Sequence, residues 1–362
     1  MEDIFMKKSL ALFKKKDKSD KKVAPSPNSP ASTQPSAPPL EALNSGNTAA
    51  NKGSYTQILS NLPNPDHAKS WAPGEKEFLD GERLYNVSHY YEALECYEES
   101  IRQGYFAAYF RCWVIHDQFL PEKNPDMIAK FLLLVEKEGF PKCFQEAGTN
   151  NPTAKYILGC YHFYGIAPTG KDYLAAVKLF KEAANAGHSF AQNILGACYE
   201  YGLGATKDLE VAATLYKKSA DQGIAWGEWH FGVCLLYGLG IKKDAKKGIS
   251  FIELAVEKGL ADALNELGYC YMHGKGVAKN HKKAAELFAV SAEKGNADAM
   301  CSIGACYDNG HGVEKSRGSA MGWFKKAAAK GHETAISNIK SIEEGKKQPA
   351  RWHYHYYYFN NN

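Results

Sequence analysis

No stretch of this 362-residue chain approaches the roughly 18 uninterrupted apolar residues that mark a membrane-spanning helix, so none is expected. An export signal is lacking too, because the apolar run after the first lysines, Ser9 to Phe13, falls short of the roughly 7–15 residues of a secretory core. Cys-x-x-Cys and His-x-x-x-His spacings are missing, which removes the ordinary zinc sites. Glycine-elbow serines, His-Glu-x-x-His and Walker patterns are missing as well. The sequence therefore predicts no catalytic residue, no metal, no cofactor and no small-molecule substrate. With unpaired cysteines and no leader, the expected compartment is the cytoplasm.

Net charge is also missing from most of the chain. The formal charge is +4, and residues 1–22 account for it with eight lysines against Glu2, Asp3, Asp17 and Asp20. A body that is neutral overall lacks the footprint of non-specific nucleic-acid binding, so no nucleic-acid partner is expected. The basic start, residues 1–22, could make weak contact with an anionic membrane surface as a short amphipathic helix, or serve only as a solubilising tail. Residues 23–54 have few large apolar side chains and are rich in Pro, Ser, Ala, Asn and Thr. Such a segment cannot offset its ordering entropy, so residues 1–54 are expected to form a disordered arm.

Repetition is what the sequence has in abundance. LGACYEYGLG (195–204), FGVCLLYGLG (231–240), LGYCYMHGKG (267–276) and IGACYDNGHG (303–312) align at a spacing of 36. Gly196, Gly202, Gly204 and Gly223 each recur at that interval through three further copies. A fifth copy stands upstream at Leu158-Gly159, Gly165 and Gly187, displaced by 37 through one inserted loop residue. Within a copy, Ala191, Leu195 and Tyr199 lie on one helical face, and Gly196 flanks it, as the close approach of a neighbouring helix backbone would require. Gly202 would end this helix A; Ala212, Leu215, Tyr216 and Ser219 or Ala220 then mark a helix B that Gly223 closes. Two short helices bury too little surface alone, so the copies must stack.

The frame A-x-x-x-L-G-x-x-Y-x-x-G-x-G at 191–204, the Ala220 to Gly223 ending and the Ala-Asp-Ala openings at 261–263 and 297–299 resemble the Sel-one-like repeat family, a relative of the tetratricopeptide repeat. The resemblance implies an all-α fold, a right-handed α-solenoid of stacked antiparallel helix pairs. It covers residues 152–331 as five repeats. Residues 55–150 read as diverged tetratricopeptide-like pairs, at 78–104 and 106–139, and residues 332–362 as a capping helix with an aromatic, Asn-rich tail. Function follows as an implication: a non-catalytic scaffold or adaptor that holds a protein partner in a concave groove. The alternatives are a membrane-peripheral adaptor and, more distantly, a hydrolase. The family's hydrolase-linked secreted members carry paired cysteines in each repeat, and this chain does not.

Cys198, Cys234, Cys270 and Cys306 are 36 apart, one per copy, and are expected to be small buried core residues. The Gly-x-Gly pairs lack the strand and third glycine of a phosphate loop and read as turns. One anomaly points to a site. A helical wheel places positions 190, 193, 197 and 200 opposite the 191/195/199 face, and the equivalents in the third repeat are Trp226, Trp229, Val233 and Leu236, an apolar stripe where other repeats carry polar residues. Tyr156, Phe163 and Tyr269 would extend it. The stripe would dock a partner peptide or helix, or pack against a neighbouring segment such as the tail.

Overall fold

The computed structural model describes residues 73–86, 89–116, 124–166 and 170–345. The expected arm at 1–54 and the tail beyond 345 lie outside them. Among the described residues every regular element is helical. The first pair is α1 (Glu75–Asn86) and α2 (Tyr90–Arg102); α3 (Ala107–Val114), α4 (Pro125–Leu134), a π-helical turn (Val135–Gly139) and α5 (Phe140–Gly148) follow. Five regular pairs come next: α6 (Pro152–Tyr164) with α7 (Tyr173–Asn185), α8 (Ser189–Tyr201) with α9 (Leu209–Asp221), α10 (Ala225–Tyr237) with α11 (Ala245–Glu257), α12 (Ala261–His273) with α13 (His281–Glu293), and α14 (Ala297–Asn309) with α15 (Arg317–Ala329). A last helix, α16 (Glu333–Glu343), covers the end of the array.

Local chemistry sets these boundaries. Each helix A of the five pairs ends on a left-handed glycine, Gly165, Gly202, Gly238, Gly274 or Gly310, with φ between 71° and 78°. Each helix B opens on a capping side chain; the Asp208 carboxylate accepts from the amides of Glu210 and Val211 at 3.1 and 3.0 Å. Asp172, Asp244, Asn280 and Ser316 do the same in the other four. A cap of this kind contributes about 0.5–2 kcal/mol.

The glycine inside helix A answers to an aromatic ring rather than to a helix backbone, which corrects the sequence expectation. A Cβ on Gly196 would lie 2.7 Å from the ring of Tyr216, and Gly159, Gly268 and Gly304 stand in the same relation to Phe180, Phe288 and Phe324. These rings are fully buried, each contributing about 1.5–3 kcal/mol of apolar burial. The first pair uses the same device, with Gly81 against Tyr97. The third repeat departs from it: Ile252 replaces the ring, and a Cβ on Gly232 would stand 2.8 Å from the carbonyl oxygen of Gly248. There the two backbones do meet.

The segment expected as a second diverged pair, 106–139, resolves into α3, α4 and the π-helical turn, and helix continues through α5 to Gly148. All nine cysteines are free and buried. Burial pushes the thiols of Cys198 and Cys306 up to about 12, so they behave as small apolar residues.

Candidate functional site

Helices α6, α8, α10, α12 and α14 form a row of equivalent A helices. Their N-terminal positions Thr153, Phe190, Trp226, Asp262 and Asp298 are all half-buried. Tyr164, Tyr201, Tyr237 and Asn309 are half-buried one residue before the capping glycine, and His273 there is exposed. Between these two edges Ala197 and Tyr269 are half-buried, as are Asn193, Ile194, Tyr199, Tyr271 and Tyr307 of the same helices. The charge of Asp262 acts on the Tyr85 phenol of α1, and that of Lys294 on Glu92 of α2.

Three of the four residues of the apolar stripe read from the sequence are not on that surface. Trp229, Val233 and Leu236 are 6%, 1% and 2% exposed and form one core with Ile249, Ile252, Ala263 and Leu267. The wheel was turned toward the seam between repeats, where each A helix packs on the next. Gly227, standing where other copies have alanine, shows why the third repeat is more apolar. A Cβ there would meet the backbone nitrogen of Ala220 at 2.7 Å, so α10 is pressed against α9 on one side and, through Gly232 and Gly248, against α11 on the other. A helix embedded this deeply needs apolar residues nearly all round. Those two extra glycines were the sequence signal for it.

Tyr156 and Phe163 are buried as well. The Tyr156 hydroxyl accepts from Arg111 Nη2 at 2.6 Å, and Phe163 packs edge-on against Tyr173 with ring centroids 5.2 Å apart. Of the seven residues, Trp226 and Tyr269 alone are half-buried. Trp226 lies edge-on to Trp229, centroids 5.6 Å apart. Tyr269 shares Lys275 with Tyr237: the ammonium lies 5.0 Å from one ring centroid and 4.9 Å from the other. Burial lowers the Lys275 pKa, and the Tyr237 hydroxyl donates to Glu266 at 2.7 Å.

Two features escaped the sequence. In the seams of the row, Asn193 Oδ1, Trp229 Nε1 and Asn265 Oδ1 are buried without a hydrogen-bond partner among the described residues, and these residues are 36 apart. The second is a buried ionic cluster. Arg111 of α3 donates through Nε and Nη2 to the two carboxylate oxygens of Glu82, at 2.5 and 2.6 Å, while Tyr97 donates to the same carboxylate at 2.7 Å. Through Tyr156 the cluster ties α1, α2 and α3 to the regular array. Neither partner had a repeat register to reveal it.

No group of three or more His, Cys, Asp or Glu among the described residues could hold a metal ion, and no described helix is long and apolar enough to cross a membrane. The architecture is that of a helical-repeat solenoid. Residues 79–105, 152–188, 189–224, 228–260, 261–296 and 297–332 match the Sel1 repeat, more than half of the chain, and the protein belongs to that family. Its members are typically protein-interaction scaffolds. The match at 79–105 places α1 and α2, read from the sequence as a generic tetratricopeptide pair, among the Sel1 repeats.

The chain is similar in fold to a Sel1 repeat protein of Oxalobacter formigenes, with 24% identity over 76% of this chain and 92% of that one and a TM-score of 0.50. A protective antigen of uropathogenic Escherichia coli with an SLR fold is 24% identical over 76% of this chain and 66% of its own, with a TM-score of 0.48. No curated protein matches the chain.

Proposed function

We propose that the protein is a non-catalytic scaffold that binds an extended peptide segment of a protein partner along the concave face of its A helices. The observation that carries this reading is the concentration of half-buried rings there: Phe190, Trp226, Tyr201, Tyr237 and Tyr269 lie on three adjacent repeats. Aromatic anchors of this kind dominate the energetics of peptide docking.

Affinity capture followed by direct titration of the captured partner tests the reading. Trp226→Ala and Tyr269→Ala are expected to weaken binding by about tenfold or more each, at unchanged helical content. Leu174→Ala, which alters a residue 74% exposed on a B helix, is expected to leave binding intact. A partner that binds all three variants as well as the natural chain overturns the concave face as the site.

A further inference from the structure

The turns that join helix A to helix B carry a charge that the repeat itself does not require. One lysine per turn belongs to the register: Lys207, Lys243, Lys279 and Lys315, each 36 apart. The third and fourth repeats add six more. Residues 239–247 hold Lys242, Lys243, Lys246 and Lys247 against Asp244, and residues 275–283 hold Lys275, Lys279, Lys282 and Lys283 with no acid at all. The same stretch of the second repeat, 203–211, has one lysine and two acids. Lys246, Lys247, Lys282 and Lys283 stand in the first turns of α11 and α13, where the helix dipole disfavours a cation. Helix stability therefore does not account for them.

The two turns form one ridge. Each turn closes on the first turn of the preceding helix B: a Cβ on Gly276 would lie 3.1 Å from the carbonyl oxygen of Ala245, and one on Gly312 2.7 Å from the amide nitrogen of Lys282. Lys246 and Lys247 thus border the fourth repeat's turn. Lys282 and Lys283 border the fifth's, where the His281 and His311 rings lie 4.9 Å apart. The charge of Lys243 reaches Lys275, and that of Lys279 reaches His273 and His311. Seven of the eight lysines are exposed. Lys283 lies over the Tyr271 ring at 4.2 Å, and the half-buried Lys275 lies between Tyr237 and Tyr269. Lys242, Lys243, Lys246, Lys247, Lys279 and Lys282 make no ion pair among the described residues, and the Asp244 carboxylate accepts from the Lys247 amide.

We infer that this ridge docks an acidic segment of a protein partner, whose carboxylates pair with the lysines of the third and fourth repeats. A lysine is a point charge without the planar fork that favours arginine at phosphates, and residues 239–283 contain no arginine. A membrane anchor needs an apolar face to insert, and in these two stretches Ile241 is the one large apolar side chain exposed. A body that is neutral overall lacks the footprint of a nucleic-acid binder. The inference rests on the reading of the protein as a scaffold and gives the chemistry of one partner segment.

Binding of a labelled deca-glutamate peptide to the full chain, followed by fluorescence anisotropy, tests it. Lys242→Glu/Lys246→Glu/Lys279→Glu/Lys282→Glu should weaken binding about tenfold or more and should melt no lower than the natural chain. Lys178→Glu/Lys217→Glu/Lys218→Glu/Lys325→Glu, an equal change of charge on exposed B-helix lysines, should weaken it by less than about threefold. On the natural chain, carbodiimide coupling of the peptide should place new amide bonds on lysines between 242 and 283. No saturable binding, equal weakening by the two variants, or coupling confined to other lysines overturns the inference. So does a ridge that holds oligo(dT) or phosphatidylserine vesicles more tightly than the peptide. Trp226→Ala leaves every lysine of the ridge in place. A captured partner that ignores it, and Tyr269→Ala, while the peptide still needs the lysines overturns the concave face alone.

Discussion

The five regular repeats and the segment before them are helical to the same degree but are held together by different physics. In the repeats a glycine in helix A receives an aromatic ring from helix B, and the same contact recurs with only the third copy departing from it. Energy there is local and repeated, as expected of a nearly one-dimensional array. From α1 to α5 one glycine–ring contact, Gly81 with Tyr97, is joined by a single buried ionic cluster reaching across 45 residues, from Arg111 to Tyr156. A repeated contact can be lost once at modest cost. A unique one cannot.

Arg111→Met should break that contrast most sharply. Glu82, 2% exposed, would keep the Tyr97 hydroxyl but lose its counter-charge, and stranding one member of a buried pair costs about 3–5 kcal/mol. Thermal unfolding should show a large drop, and Glu82→Gln/Arg111→Met should recover most of it. Equal losses in the single and double variants would mean that packing, not charge, holds the segment.

Acid should act next most strongly, and inside the array. Burial lowers the pKa of His230 to about 3; the residue is 7% exposed and stacks on Tyr216 with centroids 4.5 Å apart. The unfolded chain takes up this proton near pH 6.5 and the folded chain does not, so stability is intact above 6.5 and falls as pH drops toward the folded value. At pH 5 the loss is about 2 kcal/mol relative to pH 8. His230→Phe should lose that much less over the same interval in chemical denaturation at the two pH values.

The repeated contact itself can be tested by a pair of alanines of opposite sign. A Cβ on Gly304 would lie 2.7 Å from the Phe324 ring, whereas nothing lies within 4 Å of one on Gly322, in the same repeat. Gly304→Ala should cost about 1–3 kcal/mol, and Gly322→Ala should stabilise by up to about 1 kcal/mol through helix propensity. Melting temperatures that move in the same direction would show that the ring does not need the glycine.

These cases also mark how far the sequence could be read. The 36-residue register was visible because Gly196, Gly202, Gly204 and Gly223 recur in phase, and the helix pairs follow from it. The site was harder, because a wheel drawn for one helix does not know where the next repeat lies. Trp229, Val233 and Leu236 face that neighbour, and Gly227 and Gly248, which let α10 sink between α9 and α11, carry the correction in residues that lack side chains. The Glu82–Arg111 cluster was illegible for another reason: it joins residues 29 apart with no repeat to flag them. Pairing across such a distance is a property of the folded chain.

Glu200 offers the finest discrimination. Its position in helix A is occupied by Phe163, Leu236, Met272 and Asp308 in the other copies, so the second repeat holds a carboxylate where three others are apolar. Burial raises its pKa, although the Tyr216 hydroxyl donates to it at 2.6 Å. A raised folded value means that the folded chain binds the proton more tightly than the unfolded one. Stability is therefore greatest below the unfolded carboxyl value and declines as pH rises through the folded one. Glu200→Gln keeps an acceptor for Tyr216 and has no charge to bury, so it should melt slightly higher than the natural chain at pH 8, by less than any change above, with the difference vanishing near pH 4. A destabilised variant at pH 8 would mean that the ionised carboxylate is the form the repeat is built around.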